Sequence, residues 1–284
     1  MPCAFPIPAL KPRAGGRLVF DGREIRDFGE RADAALSSLF HLFLPCGSCV
    51  GCQLARARSW AVRCSLEQFE HRVSSFVTLT YAPRYVPPSL VKADYSGFVR
   101  SLRKRLGSRS VRHFGCGEYG ENRGRPHYHA ILFGTEDREA IERSWQKGFV
   151  TVDKVNPARI SYVAGYCAKK LGFWPDPVKD LISSDGELYD YQPPFLQMSR
   201  RPGIGGAARR HRMSWRRFAY LDGRQVPVPR FLHSSWRESA SESDLADLER
   251  ERRESRMTLT VSELDASHAI ARARVRLSLE RSKL

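Results

Sequence analysis

The chain has 284 residues, 42% of them hydrophobic, enough for one core domain with appendages and incompatible with wholesale disorder. Lys and Arg outnumber Asp and Glu by 47 to 31, for a formal net charge of +16, and the stretch after Arg237 is nearly balanced. The positive excess therefore belongs to the body of the chain and implies a polyanionic partner such as nucleic acid.

No apolar run reaches the length of a bilayer span and the first residues lack a signal-peptide pattern, so a soluble protein in a reducing cytoplasm with no membrane partner is expected. Seven cysteines, an odd number, agree with that compartment. Residues 1 to about 40, rich in Pro and Gly, read as an extended arm with at most a short helix near Ala32 to Phe40. Cys46, Cys49 and Cys52 follow at intervals of three. These ligands suit a structural zinc ion, with Cys64, His41 or His71 as a fourth ligand that spacing does not choose; the alternative is a turn of free thiols. Gln53 to Arg72 has helical composition and closes a first segment, 1–72.

From residue 73 the pattern becomes regular. Phe76 to Tyr81 reads as a buried strand, and Asp94 as the cap of a helix running to Leu106 and stopped at Gly107. Val111 to Tyr119 and His127 to Phe133 read as strands. Thr135 is the expected cap of a further helix ending before Gly148, and Phe149 to Val155 is a fourth strand. Asn156-Pro157 offers an N-cap and an N1 proline for a last helix, stopped at Gly172. The order β-α-β-β-α-β is the split βαβ, ferredoxin-like α+β arrangement, with the first and third strands central; this is the expected core, 73–172.

Beyond it, 173–237 reads as an extension that begins with a long Pro-containing loop. Arg200, Arg201, Arg209 and Arg210 flank a glycine-rich turn whose backbone can approach phosphates, and Tyr220 to Val226 reads as a tight hairpin. Residues 238–284 form a charged helical or disordered tail.

Two stretches carry chemistry. In Arg125-Pro126-His127-Tyr128-His129 the histidines alternate along a strand, so they share a face about 7 Å apart and can reach one cation. A third ligand, Glu118, lies on the preceding strand, with Glu121 its competitor. Glu118 points away if Tyr119 sits opposite His127, and stands across from His129 on the metal side if the pairing shifts by one or the loop holds a bulge. Tyr162 and Tyr166, four apart, share one helix face, with Lys169 and Lys170 beside Tyr166. Gly165 between the tyrosines costs about 1 kcal/mol of helix stability, which packing alone does not justify, and it permits close approach of a nucleotide. A phenol can attack a phosphodiester when a divalent ion polarises the phosphate and a lysine offsets developing charge.

At these residues the chain resembles the two-tyrosine HUH replication-initiator endonucleases, most closely those of gokushovirus-type microviruses, small circular single-stranded DNA phages. Phe76 to Tyr81 is similar to the first motif, His127-Tyr128-His129 to the second, and Tyr162-x3-Tyr166-x2-Lys169 to the third; Pro45 to Trp60 and Arg201 to Gly205 look like segments of the phage group. The likeness spans roughly 45 to 232. It implies Mg²⁺ or Mn²⁺ held by His127, His129 and an acid, best matched by Glu118. It also implies rolling-circle replication in the cytoplasm of a bacterial host, through a 5′-phosphotyrosine and a free 3′-OH, with later rejoining of the strand. Viral origin DNA, contacted by Arg125 and the downstream arginines, and a host helicase and polymerase are the implied partners. An HUH transposase or relaxase would share this chemistry. A non-catalytic single-strand binder on a ferredoxin-like sheet and a zinc hydrolase are alternatives of other classes.

Overall fold

The computed structural model describes Cys3 and residues 7–12, 39–120, 124–169, 181–182, 188–210, 215–221, 223–254 and scattered positions between 263 and 277. By its contacts the chain divides into two compact units, Met1–Ala55 with Met257–Leu284, and Arg56–Arg256.

In the first unit, β1 (Ile7–Pro12) pairs antiparallel with β2 (Leu39–Leu44), Ile7 opposite Leu44 and Pro12 opposite Leu39. The arm expected to lack regular structure thus contributes two strands. In a two-stranded sheet every strand is an edge, where the missing amide protons of Pro8 and Pro12 are tolerated. The helix expected near Ala32 lies largely outside the described residues. The division between units falls within α1 (Val50–Phe69).

The second unit is built on a five-stranded antiparallel sheet of order β6-β3-β5-β4-β9. Its strands are β3 (Ser74–Tyr81), β4 (Arg112–Tyr119), β5 (Pro126–Phe133), β6 (Gly148–Lys154) and β9 (Phe195–Met198). With α2 (Lys92–Leu106) after β3 and α3 (Arg138–Ser144) after β5, the first four strands have ferredoxin-like order, β3 and β5 central as expected. β9 pairs with β4, Phe114 opposite Met198, inside the stretch expected to be loop. Two-residue strands β7 (Leu181–Ile182) and β8 (Leu188–Tyr189) pair with each other.

The period of two along each strand divides the core into two faces. Val77, Leu79 and Tyr81 of β3 and Tyr128, Ala130 and Leu132 of β5 cluster with Tyr95, Phe98, Leu102 and Leu106 of α2 and Ile141 of α3. The alternate residues Phe76, Phe114, Ile131 and Phe133 cluster with Cys64 of α1 and with Ile160 and Val163 of α4 (Pro157–Lys169). Helices therefore cover both faces, which is why the central strands are apolar on both sides. Gly148 fits where β6 begins because a Cβ there would lie 2.1 Å from the Thr80 carbonyl oxygen.

The helix starts partly differ from expectation. Asn156 caps α4, its Oδ1 accepting the Arg159 amide at 2.8 Å. Asp94 instead lies in the first turn of α2, whose N-cap is Val91, and accepts a 2.8 Å hydrogen bond from the buried Tyr81 hydroxyl. Asp137, not Thr135, caps α3 by accepting the Ala140 amide, while Thr135 Oγ1 accepts the Asp137 amide one turn earlier.

Beyond the sheet, β10 (Phe218–Leu221) and β11 (Arg224–Pro227) form the expected hairpin, with Gly223 at φ 72° in its turn. Helices α5 (Arg230–Ser239) and α6 (Glu242–Glu254) follow. Among the described residues no helix is long and apolar enough to cross a membrane.

Candidate active site

Strand register settles the orientation of Glu118. It pairs with His127, and Cys116 with His129, so Glu118 and both histidines occupy the sheet face covered by α4. The pairing is one residue away from the register that would turn Glu118 outward. Its cross-strand partner is His127, not His129, yet its side chain reaches both: Oε1 lies 2.9 Å from His127 Nε2 and 2.8 Å from His129 Nε2. The donor atoms of the three residues all lie within 4.8 Å of one another. Glu121, the competitor, lies outside the described residues.

The far side of each imidazole is also held. His127 Nδ1 lies 3.0 Å from the Arg125 carbonyl oxygen, which can only accept, so Nδ1 carries a proton and the ring is oriented with Nε2 toward Glu118. His129 Nδ1 lies 3.0 Å from Thr78 Oγ1, on the strand residue directly opposite. The spacing of the motifs assigns Thr78 no part; its signal is a polar residue between the fully buried Val77 and Leu79. Tyr128, between the histidines, is fully buried on the opposite face, where its hydroxyl accepts the Val91 amide at 3.2 Å.

Burial pushes the Glu118 carboxyl up, but hydrogen bonds and charge from His127 and His129 outweigh it and hold its pKa at about 2. An ionised carboxylate and two oriented imidazoles fit a divalent cation. With two nitrogen donors the set suits Mn²⁺ better than the all-oxygen preference of Mg²⁺.

Tyr162 stands over this group. Its ring meets His129 edge-on with centroids 5.3 Å apart, and its hydroxyl donates to Glu118 Oε1 at 3.5 Å. It remains 43% exposed, so a substrate can reach the phenol. Val163 and Ala164, fully buried, fix the rotation of α4 that places Tyr162 there. Where a Gly165 Cβ would stand, no atom of the described residues lies within 4 Å. The backbones of Tyr166 and Lys169 continue α4; their side chains, and all of Lys170, lie outside the described residues.

The expected DNA-contacting arginines fall into distinct settings. Arg125 donates to the Tyr81 carbonyl and Arg209 lies 4.0 Å over the Phe231 ring, while Arg210 is exposed. Arg200 and Arg201 are exposed at a cleft of about 580 Å³ that also takes in Arg103, Arg109 and Arg112. The glycine-rich turn beside them packs inward: Gly205 donates its amide to Glu67 at 2.6 Å and Arg63 donates to the Ile204 carbonyl at 2.8 Å.

The fourth cysteine also differs from expectation. Cys64 is fully buried in the apolar cluster with Phe114 and Ile131, apart from the other thiols, and the sulfurs of Cys46, Cys49 and Cys52 are joined by that of Cys3. His71 is committed to Glu67 at 3.2 Å, and the side chain of His41 lies outside the described residues.

With this geometry in place, comparison with known proteins decides the lineage. A family model, replication-associated protein ORF2/G2P, matches residues 74–171, the stretch that holds the whole site. The replication-associated protein ORF2 of Spiroplasma virus 4 is 31% identical over 232 residues, covering 72% of this chain and 68% of that protein. This chain belongs to the same family of phage replication-associated proteins. The replication-associated protein VP4 of Bdellovibrio phage phiMH2K is 26% identical over 271 residues, covering 85% of this chain and 79% of its own length. That of Chlamydia phage 1, ORF4, is 28% identical over 159 residues, 46% of this chain and 39% of its own. No solved structure matches the chain.

Proposed function

We propose that this replication-associated protein initiates rolling-circle replication by nicking the origin strand of a circular phage genome. The observation that carries the reading is the convergence of Glu118, His127 and His129 on one point with the Tyr162 hydroxyl 3.5 Å from the same carboxylate oxygen. Mn²⁺ or Mg²⁺ bound there would polarise a non-bridging phosphate oxygen and offset charge as it develops.

The protein residues do the rest. Glu118, His127 and His129 are the residues that would hold such an ion. Tyr162 gives up its phenolic proton and its oxygen bonds to phosphorus, while the bond from phosphorus to the 3′-oxygen breaks and that oxygen takes up a proton. The products are a 5′-phosphotyrosine and a free 3′-OH for a host polymerase. One phosphodiester has been exchanged for another, so rejoining needs no ATP. Tyr166, one turn along α4, takes the second nick after a round of synthesis, and Lys169 and Lys170 offset phosphate charge. Arg200 and Arg201, at the opposite end of β4 and roughly 20 Å from Glu118 by strand rise, contact flanking phosphates.

The test is incubation of the full chain with Mn²⁺ and single-stranded origin DNA, followed by mapping of the covalent adduct. The adduct is expected on Tyr162 or Tyr166. A double Tyr162→Phe, Tyr166→Phe variant that still nicks, with no DNA on either tyrosine of the parent, would overturn the mechanism; binding without any nick would favour a non-catalytic single-strand binder.

A further inference from the structure

Cys46-Gly47-Ser48-Cys49 forms a tight turn in which Gly47 adopts φ 79°, and the turn leads straight into α1 at Val50. The Cys49 amide donates to Cys46 Sγ at 3.3 Å, and the Cys46 amide donates to Cys3 Sγ at 3.2 Å. Backbone amides aimed at sulfur favour its thiolate form, as a metal ligand requires.

The sulfur separations identify what the cluster is spaced for. Cys49 Sγ and Cys3 Sγ are 3.8 Å apart, Cys46 Sγ and Cys52 Sγ are 4.0 Å apart, and all four sulfurs lie within 4.8 Å of one another. A disulfide would bring two sulfurs to about 2.05 Å. A tetrahedron with zinc–sulfur bonds of about 2.3 Å has edges of about 3.8 Å, which these separations approach. An iron–sulfur cluster interposes sulfides and irons between its thiolates and so holds them further apart than this.

We propose that Cys3, Cys46, Cys49 and Cys52 bind one zinc ion in a tetrahedral tetrathiolate site, chemically separate from the Glu118–His127–His129 centre. Such an ion cross-links the start of the chain to the turn that opens α1, across an interval of 43 residues from Cys3 to Cys46. It makes folding of the first unit depend on metal, because the unfolded chain offers no preformed site. Nothing in the proposal requires that the chain nick DNA.

The experiment loads the full reduced chain with Zn²⁺ or with Co²⁺ alone. The parent is expected to retain one zinc after gel filtration at the cysteines. The cobalt form should show the intense sulfur-to-cobalt charge-transfer absorption of four thiolates, and a His127→Ala, His129→Ala variant should keep it. Cys3→Ser should lose part of that absorption and weaken zinc binding by at least the ~10- to 100-fold that loss of an outer partner costs. Cys64→Ala should leave both unchanged. A parent whose cobalt spectrum lacks thiolate bands overturns the proposal, as does a Cys3→Ser variant with the parent's spectrum. Should Cys3→Ser fail to fold, protection of four thiols from alkylation by Zn²⁺ in the parent still decides, and four thiols that react as fast with Zn²⁺ as without it overturn the site.

Discussion

Among the described residues two clusters of side chains are arranged so that they could hold a metal ion, and they are assembled in opposite ways. Glu118, His127 and His129 come from neighbouring strands of one sheet, where register alone brings them together and the strands cannot shift without turning every side chain to the other face. Cys46 and Cys49 come from one turn and Cys52 from the first turn of the helix that follows it, and the fourth member, Cys3, arrives from far away in sequence. The first is preformed by the fold and uses nitrogen and oxygen donors, suited to an ion that must exchange waters for phosphate. The second uses four sulfurs, leaves a tetrahedral ion no open position and suits a permanent tie. One cluster is positioned by the fold; the other helps to make it.

The largest expected effect breaks this contrast at the first cluster. Glu118→Ala should lower nicking by about 10³-fold or more, because several kcal/mol of charge stabilisation depend on the ion it helps to hold. The same variant should keep its zinc at the cysteines. Single-turnover nicking with Mn²⁺, together with metal analysis of the same sample, checks both halves. Loss of both metals together would mean that the two clusters are not independent.

A pH series separates the clusters by another route. The Glu118 carboxyl is held at about 2 in the fold, below its ordinary 4.5. A depressed carboxyl contributes stability that is complete above about pH 4.5 and is lost as pH falls through the folded value. The difference corresponds to about 3 kcal/mol at most. Urea unfolding of the protein without divalent ions, measured from pH 5 downward, should therefore fall more steeply for the parent than for Glu118→Gln. Parallel curves would show that the histidine contacts do not stabilise the carboxylate.

Thr78→Val tests whether the outer hydrogen bond to His129 matters as it does in other metal centres. Removing it should weaken Mn²⁺ binding about 10- to 100-fold while leaving the fold in place, since Val has nearly the shape of Thr and suits a strand. Calorimetric titration of Mn²⁺ into the two proteins gives the ratio. An unchanged affinity would leave Thr78 a packing residue.

What the residues alone disclosed follows the same division between local and distant. The histidine pair, the tyrosine spacing and the Asn156 cap are local patterns, each legible within ten residues, and the strand order follows from the succession of elements that are themselves locally marked. The side of the sheet that Glu118 faces depends on one residue of pairing, which a loop can absorb, so spacing could not decide it. Cys3 was invisible as a ligand because nothing near it in sequence marks it. Cys64 looked eligible by spacing, but its position on α1 turns it into the core beside Phe114. The Asp94 and Thr135 caps failed for a related reason: a carboxylate or hydroxyl near a helix start has competing partners, and here the Tyr81 hydroxyl and the Asp137 amide won.

Gly165 connects the fold to the chemistry with the smallest expected effect. It lies inside α4 between the two tyrosines, and a Cβ built on it meets no atom of the described residues within 4 Å, so among them neither packing nor backbone geometry demands glycine. Alanine there should stabilise the protein by about 1 kcal/mol, the ordinary gain in a helix interior. If the open space is kept for the substrate, the same methyl group will stand where a nucleotide must approach Tyr162. Gly165→Ala should then bind origin single strands several-fold more weakly, although it unfolds at higher urea. Improved stability with unchanged binding and nicking would show that the space beside Gly165 is not on the path of the DNA.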